Sequence, residues 1–218
     1  MKKTDIYTII IIRPSPYGEQ LKAKIDSLGF NGLLMPAVKI SKLNQSFRRR
    51  DYGICVSQLA VDLLDMQLGN VESVFAVGPK TATAIEKRFK RFAITPTQNQ
   101  FNIKALLDLP ELMAIRGKKI NVFSGENTKP ELIDTLRSRG ADVVVCPVFK
   151  MDEPKWKHQK IPSTGLIYVT SAQMLHRFDA YYIEGQKLSC LKNYDIVVGS
   201  SDAYSAAEEL QFKGRLIQ

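Results

Sequence analysis

Five points along the chain gather glycine and small polar side chains where an apolar run gives way to a helical pattern. They read Ser57-Gln58, Val77-Gly78-Pro79-Lys80-Thr81, Phe123-Ser124-Gly125-Glu126-Asn127, Thr170-Ser171-Ala172-Gln173 and Val198-Gly199-Ser200-Ser201-Asp202. Glycine lets a ligand approach the backbone, and the first N–H groups of a helix have no partner within it. Those groups lie at the positive end of the helix dipole, so such junctions suit carboxylates and phosphates. For any single junction the simpler reading is a helix cap, because Ser, Thr, Asn and Asp cap helices routinely. Five junctions in one chain favour a ligand that carries several acidic groups. Arg13, just after the first apolar run, adds a guanidinium whose fork matches a carboxylate.

Other chemistries lack their residues. No Gly-x-Gly-x-x-Gly follows the first apolar run, and no Gly-Lys-Ser/Thr phosphate loop occurs. The two histidines, His158 and His176, have no carboxylate or cysteine at ligand spacing, and no Ser-His-Asp order suggests itself. The expectation is a cleft that acts by shape, backbone hydrogen bonds and positive field, without metal or cofactor.

The formal charge of +9 and pI near 9.4 point the same way, toward an anionic partner. Charge alone leaves nucleic acid, an acidic membrane face and a polyanionic small molecule open. Cys55, Cys146 and Cys190 are too scattered for a disulfide framework or a zinc site, and two of them sit in apolar runs where free thiols are common. A reducing, cytoplasmic setting is expected. The run Ile9-Ile10-Ile11-Ile12 after Met1-Lys2-Lys3 is too short for a signal peptide and ends at Arg13-Pro14, so it reads as a buried parallel strand. Nothing approaches a membrane span.

The elements that must hold these junctions alternate strand with helix. Strands are expected at 6–12, 33–35, 53–57, 73–77, 92–95, 119–123, 142–146, 165–169 and 194–198, and helices near 58–67, 80–91, 102–115, 129–139, 171–179 and 202–212. Ser15-Pro16 reads as the start of another helix that Gly29 ends, and Thr128-x-x-Glu131 as a capping box. Such alternation means parallel sheets covered on both faces, with ligands at the carboxyl ends of the strands. Residues 151–164, with Pro154, Pro162 and Lys155-Trp156-Lys157-His158, read as a basic loop in which Trp156 either stacks on a ligand or packs on the nearest surface. The clusters Arg48-Arg49-Arg50 and Lys87-Arg88-x-Lys90-Arg91 read as solvated faces.

The chain also repeats itself. At an offset of 111, Leu21, Gly29, Leu33-Leu34, Pro36 and Lys39 match Leu132, Gly140, Val144-Val145, Pro147 and Lys150. Val56-Ser57 and Val77-Gly78 are echoed by Thr170-Ser171 and Val198-Gly199. Two related α/β halves would place a ligand in the cleft between them.

These elements, in this order, resemble the uroporphyrinogen-III synthase family over essentially the whole chain. The resemblance is carried by Arg13-Pro14, Leu21 to Gly29, Pro36, Val56-Ser57-Gln58-Leu59-Ala60-Val61, Phe75 to Ala82, Arg116 to Ile120, Ser124 to Leu132, Pro147-Val148-Phe149, Thr170-Ser171-Ala172 and Val198-Gly199-Ser200. It implies two similar parallel-sheet α/β domains joined by a two-segment extended linker: 1–36 with 150–218, and 37–149. It implies a cofactor-independent lyase, a cytoplasmic monomer, that cyclises hydroxymethylbilane to uroporphyrinogen III in tetrapyrrole and haem biosynthesis, inverting the terminal pyrrole ring. No nucleic acid and no membrane are implied as partners. Arg13, Ser57, Thr81, Ser124, Gly125, Asn127, Thr170, Ser171 and Ser200 would bind the substrate's eight carboxylates. The family commonly has a tyrosine, a candidate acid, where this chain has Phe149, which leaves Tyr168 or a bound water as donor. Pro-Thr-Thr-Ala of the family is Ser200-Ser201-Asp202-Ala203 here. Both departures motivate an alternative, a non-catalytic relative that binds tetrapyrroles. A basic nucleic-acid-binding protein is a further alternative, motivated by charge alone and recognisable by steep salt dependence.

Overall fold

Short apolar runs separated by amphipathic helices pair here into two sheets. The computed structural model describes residues 7–65, 68, 71–97, 100–155 and 160–217. The chain divides into two compact units, Met1–Ile40 with Asp152–Gln218, and Ser41–Met151.

In the first unit, β1 (Thr8–Ile11), β2 (Asn31–Leu34), β8 (Leu166–Val169), β9 (Asp195–Val198) and β10 (Leu216–Ile217) form one sheet in the order β2-β1-β8-β9-β10. Every pairing in it is parallel. Its helices are α1 (Tyr17–Ser27), α6 (Ala172–Phe178) and α7 (Ser201–Glu209). The core is aliphatic and aromatic, with Ile10, Ile167, Phe178, Tyr182, Tyr194 and Ile196 fully buried. Burial at about 25 cal/mol per Å2 of apolar surface is what holds such a sheet to its helices.

In the second unit, β4 (Tyr52–Cys55), β5 (Ser73–Ala76), β6 (Lys119–Gly125) and β7 (Asp142–Asp152) pair in parallel, and β3 (Lys39–Lys42) lies beside β7. The order is β5-β4-β6-β7-β3. Helices α2 (Gln58–Leu63), α3 (Pro79–Phe89), α4 (Ile103–Leu107) and α5 (Pro130–Ser138) cover it. Its core is built on Ile54, Phe75, Ile120, Val122, Leu132 and Leu136.

With β3 set aside, both sheets share one pattern: counting from β1 in one and from β4 in the other, the second strand lies outside the first, and the third lies on the first's other side. The strand order reverses between β1 and β8 in one unit and between β4 and β6 in the other, and such switch points are where open α/β sheets open a crevice. The helices preceding β2 and β7 also end alike. Gly29 and Gly140 both adopt φ 84°, and the residues after them, Phe30 and Ala141, donate back to the carbonyls of Ile25 and Leu136 at 3.3 and 3.2 Å. A left-handed residue at that point favours glycine.

Several local expectations are corrected. The run 92–95 is no strand; Ile94 alone bridges Phe75. The helix expected over 102–115 is broken by Pro110 into α4 and a 3-10 turn, Pro110–Leu112, because proline lacks the N–H that would continue it. The strand expected at 142–146 runs on to Asp152, into the tract read as loop. Strands β3 and β10 and the π-helical turn Asp179–Gly185 that extends α6 were not expected. Thr128 and Glu131 form no capping box: Lys129 holds the N-cap of α5 without a side-chain bond. Helix α1 begins at Tyr17 with Pro16 at the N-cap, and the Ser15 hydroxyl donates to Glu19 instead of capping.

The basic clusters are not simply solvated. Arg50 donates to the carboxylate of Asp142 at 2.6 Å, with its side chain only 15% exposed. Arg88 donates to the carbonyls of Asp62 and Leu64 at 2.8 and 2.9 Å, and Arg91 to that of Val71 at 2.8 Å. Guanidinium forks satisfy carbonyls that a helix end and a loop leave open. Trp156 and His158 lie outside the described residues; His176 is exposed, 3.9 Å from Glu209.

Candidate functional site

In the first unit, Arg13 follows β1 and Thr170 follows β8, one on each side of the switch point. The Arg13 guanidinium lies over the ring of Tyr17, 5.5 Å from its centre. Ser171 occupies the N-cap of α6, but its side chain accepts no bond from the helix. Ser200 does cap α7, accepting from the N–H of Ala203 at 3.3 Å. Gly199 brings the start of α7 close to Thr170: a Cβ there would lie 3.2 Å from the Thr170 methyl. Asp202 sits in the first turn of α7, where a carboxylate suits the helix dipole. Tyr168 is half-buried in β8, opposite Ile11 and Val197.

In the second unit, β4, β5 and β6 end side by side. Ser57 caps α2 through the Ala60 N–H at 3.1 Å. Gly78 is the N-cap of α3, and Thr81 is buried in that helix. The end of β6 is irregular: Ser124 pairs with Pro147 but Gly125 with Phe149, so one residue of β7 is skipped. Such bulges re-aim side chains at strand ends. The Glu126 N–H donates to the Phe149 carbonyl at 2.9 Å, and the Phe149 ring closes over Gly125, where any Cβ would meet it at 2.9 Å. Ser124 is buried; its hydroxyl donates to the Gly125 carbonyl at 2.9 Å and accepts from Thr128.

These strand ends enclose a pocket of about 360 Å3, lined by the apolar Val56, Val77, Phe101 and Ile103 and by the polar Asn102, Ser124, Asn127, Thr128 and Lys129, with Gly125. Three expected residues, Ser124, Gly125 and Asn127, thus meet in it. Ser57 and Thr81 do not line it. Arg13, Thr170, Ser171 and Ser200 belong to the other unit. Phe101 and Lys129 went unnoticed in the sequence, although a lone aromatic in the polar stretch Gln98-Asn99-Gln100-Phe101-Asn102 was a signal of the kind read at Trp156. A larger hollow, about 530 Å3, lies between α2 and α3, but its Arg88 is already engaged with carbonyls of the fold. A third, about 450 Å3, lies in the first unit beside Ala37, Pro154, Arg177 and Tyr181.

No thiol near the pocket is available as a nucleophile. Burial pushes Cys55, at the end of β4, up to about 12, and Cys146 in β7 up to about 11. Among the described residues, no group of three or more His, Cys, Asp or Glu side chains is placed to hold a metal ion. None of the helices among them is long and apolar enough to cross a membrane.

Comparison with known proteins names the family. The family model described as uroporphyrinogen-III synthase HemD matches residues 19–218. The uroporphyrinogen-III synthase of Escherichia coli is 25% identical, over 93% of this chain and 91% of its own. That of Salmonella typhimurium is 27% identical over 78% of each. Among solved structures, a mutant uroporphyrinogen III synthase of Thermus thermophilus superposes with a TM-score of 0.60 at 16% identity, covering 97% of this chain and 92% of that one. The uroporphyrinogen-III synthetase of Helicobacter pylori gives 0.61 at 11% identity with the same coverages. At these identities the structures speak for the fold.

Proposed function

The chain belongs to the uroporphyrinogen-III synthase family, and from that premise we propose that it is a working synthase of tetrapyrrole biosynthesis, closing hydroxymethylbilane to uroporphyrinogen III with the last pyrrole ring inverted. The observation that carries this reading is the chemistry of the strand ends. Glycine, hydroxyl and basic groups gather there in both units, around a pocket in one of them that is mainly apolar with polar groups in its lining. A substrate of four pyrroles with eight carboxylates needs both kinds of surface, and a chain of charge +9 attracts it.

The free bilane closes by itself to the symmetric isomer. The enzyme's task is therefore to hold the chain so that its hydroxymethyl end, losing water, meets the substituted carbon of the terminal ring. Positioning of this kind supplies most of the acceleration, and a proton donor helps the hydroxyl depart. Phe149 cannot be that donor. Tyr168 or a bound water would be, and Arg13, Ser171 and Thr170 would bind carboxylates from the first unit. Elimination of water makes the enzyme a lyase, and the reaction as written needs no cofactor.

We further read the two units as domains, 1–36 with 150–218 and 37–149, that arose by duplication and exchanged halves. The matched helix ends at Gly29 and Gly140 and the shared strand order support this. In this reading, the chain crosses near Pro36 to Ile40 and returns near Pro147 to Met151, and the protein acts as a cytoplasmic monomer.

Phe149 favours one competing reading, a relative that binds tetrapyrroles without turning them over. Hydroxymethylbilane made in situ by its deaminase, followed by oxidation and chromatographic separation of isomers I and III, decides between them. Isomer III well above the enzyme-free control is expected. Isomer I alone, from folded protein, would overturn the synthase and favour the binder.

A further inference from the structure

We propose that the pocket at the carboxyl ends of β4, β5 and β6 is a subsite for one carboxylate-bearing pyrrole ring, with Phe101 as the face on which the ring stacks and Lys129 as the cation that meets its acid arm. The inference rests on the synthase reading and adds to it two residues that the sequence did not nominate.

Phe101 is the unusual member of the pocket. It remains 44% exposed, although the backbone is shaped to receive it. A Cβ at Gly78 would lie 3.0 Å from the Cβ of Phe101 and 3.4 Å from its Cγ. Gly78 has φ −167°, which any residue could adopt, so space for Phe101 is what a side chain there would remove. The fold thus seats an aromatic ring against bare backbone at a strand end and leaves much of it open. With Val56, Val77 and Ile103 beside it, the ring makes an apolar shelf. Aromatic faces stack on flat heterocycles without needing a matched hydrogen-bond pattern.

The polar lining selects the acid. Ser124 and Thr128 are bonded to each other and to the Gly125 carbonyl, so their hydroxyls are engaged within the fold. Asn127 and Lys129 line the pocket too, and among the described residues neither side chain makes an ion pair or hydrogen bond. A phosphate would leave the apolar shelf uncovered, and a plain hydrocarbon would leave Lys129 without use. A flat ring carrying a carboxylate covers both. The volume, about 360 Å3, is near the lower end of small-molecule pockets, which run from roughly 300 to 1,000 Å3. That suits a part of a tetrapyrrole better than the whole.

The test is steady-state formation of isomer III by the full-length protein and its variants Phe101→Ala, Phe101→Tyr and Lys129→Gln, with a thermal melt of each to verify folding. Phe101→Ala is expected to raise KM roughly tenfold, the loss of one stacking contact, and Phe101→Tyr to restore it. Lys129→Gln is expected to raise KM about twofold to fivefold, as for an exposed ion pair, and to weaken its salt dependence. Wild-type protein that yields only isomer I would sink the synthase reading itself. Wild type that yields isomer III, with Phe101→Ala folded and its KM unchanged, would overturn the subsite alone. Should Phe101→Ala not fold, a Phe101→Leu variant carries the same decision: an unchanged KM overturns the stacking role and a raised one supports it.

Discussion

Ser57 and Ser171 both stand at the N-cap of a helix, yet only Ser57 accepts a bond from it. Ser57→Ala is therefore expected to cost about 1 kcal/mol and lower the melting temperature by roughly 2–4 °C. Ser171→Ala should leave the melt in place while reducing kcat/KM for isomer III, if its hydroxyl serves substrate. A melt shifted equally by both changes would return Ser171 to a structural role. Cysteine supplies a second test at this scale. The folded-state value of Cys55, about 12, lies above the ordinary 9.0. Its contribution to stability is complete below pH 9 and is lost as pH rises from 9 toward 12, because the unfolded chain ionises first. Between about pH 9 and 11, unfolding free energy should fall less steeply for Cys55→Ala than for wild type, by up to about 1.4 kcal/mol per pH unit. Parallel slopes in chemical denaturation would reject this.

At the scale of elements, α3 is secured at its end by a side chain that composition alone would assign to solvent. Arg88 reaches the carbonyls of Asp62 and Leu64, at the end of α2, while Lys87 beside it makes no such bond. Arg88→Ala should destabilise by about 1–3 kcal/mol, since hydrogen bonds from a charged donor are lost and carbonyls are left open; Lys87→Ala should stay within about 0.5 kcal/mol. Equal effects in urea unfolding would mean that the arginine bonds contribute nothing. Strand β7 makes the complementary point. Its eleven residues, Asp142–Asp152, outrun the apolar segment that announced it. The extension pairs through Val148 with Leu43, next to β3, a partner far away in the chain that no local pattern could supply.

For the molecule as a whole, the continuous unit has a sheet, covering helices and an apolar core of its own among the described residues. A fragment spanning residues 38–152 is expected to melt cooperatively in isolation, as a domain with its own core does. A fragment with helical circular dichroism but no cooperative melt would show that it depends on the rest of the chain.

The sequence by itself determined the alternation of strand and helix, the parallel sheets, the glycine-ended helix before β2 with its repeat match at Gly140, and the family. All of these depend on local periodicity, backbone freedom or short ordered motifs, which neighbours in the chain decide. It also marked Ser124, Gly125 and Asn127, because glycine and hydroxyl groups at a strand end announce themselves. Only the tertiary structure decided which serines are caps, that Arg50 and Arg88 are held by partners distant in the chain, and that Phe101 stands over Gly78 in the pocket that Lys129 also lines. Those facts arise when strand ends far apart in sequence are brought together by the order of the sheet. A side chain's use is then set by what packing leaves uncovered, which no stretch of sequence carries on its own.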